Sequence, residues 1–146
     1  MRISFKGDYA LKTLLDLAVK SDDGAVKISD IAKRQDIPLK YLEQLLLQLK
    51  GAGFVKSKRG KDGGYLLAMP AGKITLGEVI RVMEGFTSPI TCVSRSCFSR
   101  CADEKKCPFR STWEKVRDRV NAIVDTTTIA DIAQKLVKGV EEDYNI

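Results

Sequence analysis

The sequence contains no histidine. That single absence removes Ser-His-Asp catalysis, His-ligated zinc and a histidine pH switch. No apolar run approaches the ~18 residues that a membrane span needs. The first residues, Met1-Arg2-Ile3-Ser4-Phe5-Lys6, lack the apolar core of a secretory signal. A cytoplasmic protein without a membrane partner is the expectation. Internal repeats and low-complexity tracts are also missing, and 30% charged residues argue against long disorder. The glycine-rich stretch Gly60-Lys61-Asp62-Gly63-Gly64 sits between two predicted strands, not between a strand and a helix, so it is no phosphate cradle. Together these gaps argue against an enzyme or an electron carrier.

What is present is unevenly placed charge. The 146 residues suit one domain plus an appendage, and 44% hydrophobic content allows a real core. The net charge is +6. The window from Lys33 to Lys61 holds eight basic residues (Lys33, Arg34, Lys40, Lys50, Lys56, Lys58, Arg59 and Lys61) against only Asp36 and Glu43. That window alone accounts for the excess of the whole chain, which is the footprint of a polyanion partner.

Hydrophobic periodicity predicts a first helix from about Asp8, as N-cap, to Lys20, with Leu11, Leu14, Leu15 and Ala18 inward. After a turn at residues 21–24 and a short extended piece at 25–28, Ser29 is expected to cap a helix to Gln35. Asp36-Ile37-Pro38 breaks it. A third helix reaches Lys50, with Tyr41, Leu42, Leu45, Leu46 and Leu49 as its core stripe. A hairpin follows, turning at Asp62-Gly63-Gly64. Thr75 and Glu78 have capping-box spacing and open a fourth helix. A long helix from about Ser111 to Asp125 carries Trp113, Val116, Val120 and Ile123 as a heptad-like seam. Thr128 and Asp131 cap a last helix, and the tail Glu141-Glu142-Asp143 is expected to fray. The fold class is mainly α with a small β-hairpin wing. It divides into a winged helix-turn-helix at 1–84, a cysteine loop at 85–109, and dimerisation helices with a tail at 110–146.

This order of elements places the third helix to enter a major groove. Lys40, Tyr41 and Gln44 lie in its N-terminal half, and Gln44 can pair bidentately with adenine. Ser29 and the backbone at the start of the second helix suit a phosphate. Lys56, Ser57, Lys58, Arg59, Gly60 and Lys61 put four cations on a slim tip that fits a minor groove. Glu43 is the odd residue on this face, because a carboxylate there repels phosphate.

All four cysteines fall in one stretch, Cys92-x4-Cys97-x3-Cys101-x5-Cys107-Pro108. A reducing compartment argues against structural disulfides. The spacing lacks the paired CxxC knuckles of zinc ribbons. Convergent thiolates on an irregular loop suit an iron–sulfur cluster. Structural zinc and a thiol/disulfide switch remain open on spacing alone. Arg95, Arg100, Lys105 and Lys106 place positive charge beside the thiols, which suits both metal binding and oxidation.

Over nearly its whole length the chain resembles the bacterial Rrf-type winged-helix transcription regulators. The likeness rests on Lys6-Gly7-Asp8-Tyr9-Ala10, Ile31-Ala32, Tyr41-Leu42-Glu43-Gln44-Leu45, Ser57-Lys58-Arg59-Gly60, Gly63-Gly64-Tyr65-Leu66-Leu67, Gly77-Glu78-Val79-Ile80, and the loop ending in Cys107 before Trp113. Within that family it is most like the iron–sulfur-assembly regulators, beside nitric-oxide sensors and cysteine-metabolism repressors. The resemblance implies a homodimer joined along the Trp113 seam and a palindromic double-stranded DNA operator. It implies that Tyr41, Gln44 and Arg59 touch bases or the minor groove. It also implies DNA affinity set by an iron–sulfur cluster, [2Fe–2S] in preference to [4Fe–4S], with repression of cluster-assembly genes. One departure stands out. Where the assembly regulators place a histidine ligand three residues after the last cysteine, this chain has Arg110. Cys92 and Cys107 match the outer ligands, and the middle one is Cys97 or Cys101. The fourth is the spare cysteine, Asp8 or Glu43.

Overall fold

Ser4, not Asp8, starts the first helix. In the computed structural model, which describes residues 1–139, α1 runs Phe5–Val19 and Asp8 lies in its first turn. The acidic 141–143 stretch lies outside the described residues. The Ser4 hydroxyl accepts from the Gly7 N–H, and its N–H and Oγ–H both donate to Glu84 at 2.9 and 2.6 Å. Burial pushes the Glu84 carboxyl up, but these bonds from Ser4 and one from Gly7 more than offset that and hold it below its ordinary value. A contact spanning eighty residues thus selects the cap. Leu14 is buried as expected, but Ala10, Thr13 and Leu17 complete the buried face, while Leu11 and Ala18 sit at its margin. The buried face is wider than a one-sided stripe because α1 is packed by four other helices and a strand.

Helix α2 covers Ile28–Gln35, so Ser29 falls inside the first turn and Lys27 occupies the cap without a side-chain bond. Asp36 closes α2 in the left-handed conformation at φ 51°, which Asp tolerates better than most residues. Pro38 immediately precedes α3, Leu39–Gly51. Leu42, Leu45, Leu46 and Leu49 are buried, but Tyr41 is 40% exposed and does not belong to the core. Its ring instead stands edge-on to Tyr9, 5.6 Å between centroids.

Strands β1, Val55–Lys58, and β2, Gly64–Leu67, form the antiparallel wing, with Val55 opposite Leu67 and Lys58 opposite Gly64. Of the extended piece before α2, only Val26 joins it, exchanging backbone bonds of 2.9 and 2.8 Å with Tyr65. Gly64 permits this junction, because a Cβ there would collide with the Val26 carbonyl. Gly64→Ala is therefore expected to destabilise the fold by about 1–3 kcal/mol through backbone displacement. Urea unfolding of the full chain measures this, and an unchanged midpoint would show that the junction yields freely.

Helix α4, Leu76–Glu84, carries the expected Thr75/Glu78 capping box, and α6, Ile129–Val137, carries the Thr128/Asp131 box. Between them lie the cysteine loop and α5, Arg110–Val124. Helix α6 returns to the body of the winged helix. The Ile129 N–H donates to the Ile74 carbonyl at 2.9 Å, Ile129 joins the main core, and α6 packs on α1. Helix α5 stands apart: Val124 is its only buried residue, and Trp113, Val116 and Ile123 face solvent. The protein is mainly α with a two-stranded wing. Among the described residues no helix is long and apolar enough to cross a membrane.

Candidate nucleic-acid interface and cysteine loop

Burying four leucines of α3 turns its opposite side outward. Lys40, Glu43, Gln44 and Gln48 are exposed there, with Tyr41 at the edge. Glu43 makes no ion pair among the described residues. Leu47, 65% exposed on the same face, is a residue that the leucine-rich sequence hid. An exposed leucine on a reading helix can contact a thymine methyl. Lys6 also escapes a reading of the sequence. It lines a small cleft with Tyr41, Gln44 and Gln48, although it lies far upstream of the basic window. No local charge count could have found it.

The wing presents Lys56, Ser57, Lys58, Arg59, Gly60 and Lys61 exposed, and none of its four cations is ion-paired among the described residues. The Lys50 ammonium donates to Ser57 Oγ at 2.8 Å, tying the end of α3 to β1. Arg34 is different from the other cations of the window. It forms two bonds to Asp16, at 2.9 and 2.8 Å, and the Asp16 carboxylate is buried. The hydrogen bond to Asp16 holds the Arg34 guanidinium above its usual range. Its charge is satisfied internally. Ser29 is exposed at the start of α2, whose first N–H groups have no side-chain cap, an arrangement suited to a phosphate.

In the loop from Gly85 to Phe109, Cys92, Cys101 and Cys107 are half-buried and Cys97 is exposed, all as free thiols. Arg110, at the start of α5, organises three of them. Its guanidinium donates to the Cys92 carbonyl at 3.4 Å and pairs with Glu104 at 3.1 Å and Glu114 at 3.0 Å. The Glu104 N–H bonds the Cys101 carbonyl, and the Arg110 N–H bonds the Cys107 carbonyl. Cys97 instead turns back to Ser94, its N–H donating to Oγ at 3.0 Å. The all-thiol donor set fits an iron–sulfur cluster by its chemistry. It is not preassembled: among the described residues no three Cys, Asp or Glu side chains converge on a metal position. Asp8 is paired with Lys12 at 2.6 Å.

Three helices followed by a hairpin with a free basic tip define a winged helix-turn-helix protein that binds DNA. The chain belongs to the Rrf2 family, described as iron-dependent transcriptional regulators, which it matches over residues 3–135. It is 38% identical over 144 residues to the HTH-type transcriptional regulator CymR of Bacillus subtilis, covering 99% of this chain and 97% of that protein. The solved structure of that CymR, a global cysteine regulator, superposes with a TM-score of 0.79 over 92% of this chain and 97% of that one, at 38% identity. IscR of Cronobacter sakazakii is 37% identical over 132 residues, 90% of this chain and 80% of that protein. The structure of T. potens IscR gives a TM-score of 0.74 at 32% identity, over 99% of this chain and 95% of that one. These relatives are transcriptional regulators, and the chain is a DNA-binding transcription regulator rather than an enzyme.

Proposed function

We propose that the protein is a homodimeric, cytoplasmic repressor of iron–sulfur cluster assembly genes that binds a palindromic operator with an affinity set by an iron–sulfur cluster on the cysteine loop. The observation that carries this reading is the place of the loop. It connects α4 of the winged helix directly to α5, and Arg110 ties its cysteine-bearing segments to the first turn of α5. A change in the loop therefore acts on how two winged helices are held relative to one another. Such control requires differential affinity of the loop's states for the two arrangements. A bound cluster supplies a centre whose charge and integrity respond to oxidants and iron supply.

Cys92, Cys101 and Cys107 are the ligands best supported, because the Arg110–Glu104 network reaches all three. Cys97 is the fourth. The alternatives are weaker, since Asp8 is engaged by Lys12 and Glu43 lies on the DNA-reading face. A [2Fe–2S] centre is the nuclearity we propose. Ser29, Lys40, Tyr41, Gln44, Lys56, Lys58, Arg59, Gly60 and Lys61 form the DNA contact surface.

Anaerobic purification with an absorption spectrum and iron, sulfide and zinc assays tests the cluster. Cys92→Ala, Cys101→Ala and Cys107→Ala are each expected to lower iron per chain by about tenfold or more. Cys97→Ala is expected to load but to lose iron faster in air. Zinc without sulfide, or iron retained by the Cys92, Cys101 and Cys107 variants alike, would defeat the cluster. A second reading has one observation in its favour: Cys97 is an exposed free thiol, which suits a thiol sensor. In that case the assays return neither metal, and mild oxidant alone changes DNA affinity.

A further inference from the structure

Away from the reading face, the end of α4, the stem of the cysteine loop and α5 enclose a pocket of about 270 Å³. Every residue lining it is polar. Arg81, Arg95 and Arg117 line it, together with Thr87, Ser88 and Ser94. Those three hydroxyl residues are nearly fully buried. Each of these hydroxyls is already partnered, Thr87 donating to Asn121, Ser88 donating to the Ile90 carbonyl and Ser94 accepting from the Cys97 N–H. They form a fixed polar wall, and any spare donors come from the arginines.

The arginines are not equally committed. Arg81 forms two parallel bonds to Asp125, at 2.8 and 2.9 Å, and reaches Asn121 at 3.3 Å. Arg95 and Arg117 instead crowd onto one oxygen, Oδ1 of Asp118, at 3.1 and 2.8 Å. Arg117 also donates to the Val93 carbonyl at 2.9 Å. Among the described residues, its Nη2 and the remaining N–H groups of Arg95 have no protein acceptor. Two guanidiniums sharing one carboxylate leave a local excess of positive charge with donors to spare.

We propose that this pocket binds a small oxyanion, the carboxylate or phosphate of a compact polar metabolite, held by Arg95 and Arg117. Its volume lies just below the roughly 300–1,000 Å³ typical of small-molecule sites, which suits an ion or a short organic acid rather than a nucleotide. The occupant competes with Asp118 for the two guanidiniums. It also reaches the stem of the cysteine loop, since Ser94 holds the Cys97 N–H and Val93 is held by Arg117. A bound anion therefore fastens the segment between Cys92 and Cys97 to α5, whether or not the cysteines carry metal.

Isothermal titration of the full chain with inorganic phosphate, and separately with citrate, against chloride at matched ionic strength tests the site. Saturable binding of at least one is expected, and which one binds assigns phosphate or carboxylate. Arg95→Gln should weaken that binding about tenfold, by loss of charge-assisted hydrogen bonds. Asp118→Asn should strengthen it about tenfold, by removing the internal competitor. Both side chains are at least half exposed, so both variants keep the fold. Failure of both probes to bind saturably, or wild-type affinity in both variants, overturns the proposal, the latter by assigning the anion to the basic wing.

Discussion

Raising salt from about 50 to about 200 mM is expected to weaken operator binding roughly 10³–10⁵-fold, if a dimer neutralises about six to ten phosphates. The structure refines which cations take part. Lys56, Lys58, Arg59 and Lys61 on the wing and Lys40 on α3 are exposed and unpaired among the described residues, and these five per protomer bring a dimer to that range. Arg34 contributes nothing, because leaving Asp16 would strand a buried carboxylate. Fluorescence anisotropy across a salt series gives the slope of log K against log salt. Lys58→Ala should flatten it by about one unit for each phosphate that is no longer neutralised, whereas Arg34→Ala should leave the slope unchanged and lower stability instead. A flat wild-type response would show that the basic window does not meet DNA.

Ile123→Asp is expected to convert a dimer to monomers. Ile123 is 66% exposed on α5, so the isolated chain changes little in stability, within about 0.5 kcal/mol. In a two-fold interface along the Trp113–Val116–Val120–Ile123 seam the same substitution buries two unpaired carboxylates. That costs several kcal/mol, roughly 10²–10⁴-fold in association. Sedimentation velocity reads the outcome directly. A monomer that unfolds normally in urea would separate assembly from folding, and its affinity for a palindromic site would fall because it engages one half-site. A persistent dimer would place the interface on another surface.

Much of the fold is legible from local pattern. Both capping boxes appear where a hydroxyl and a carboxylate stand three residues apart, because that geometry closes within one turn. The wing follows from glycines between two short strands, whereas its register, Val55 opposite Leu67 and Lys58 opposite Gly64, is set by the turn that joins them. Local pattern misleads where the deciding interaction is distant. Glu84 selects Ser4 as the cap of α1, so the nearer Asp8 does not take that role. Tyr41 reads as core by spacing, yet α3 lies so that Tyr9 and solvent share its ring. Lys6 reaches the reading face only because α1 crosses α3.

The sequence by itself determined the element order, the basic wing, the apolar seam of α5 and the confinement of every thiol to one loop. Each depends on residues within a few positions of one another, where hydrogen-bond geometry and hydrophobic period dominate. Only the tertiary structure decided which charges are free. Arg34 and Arg81 are consumed by partners 18 and 44 residues away, while the exposed wing lysines pair with no carboxylate among the described residues. It also decided that Arg110 links three cysteine segments and sets Cys97 apart. Charge pairing is made by proximity in space, and a guanidinium carries no local sign of the carboxylate that will neutralise it.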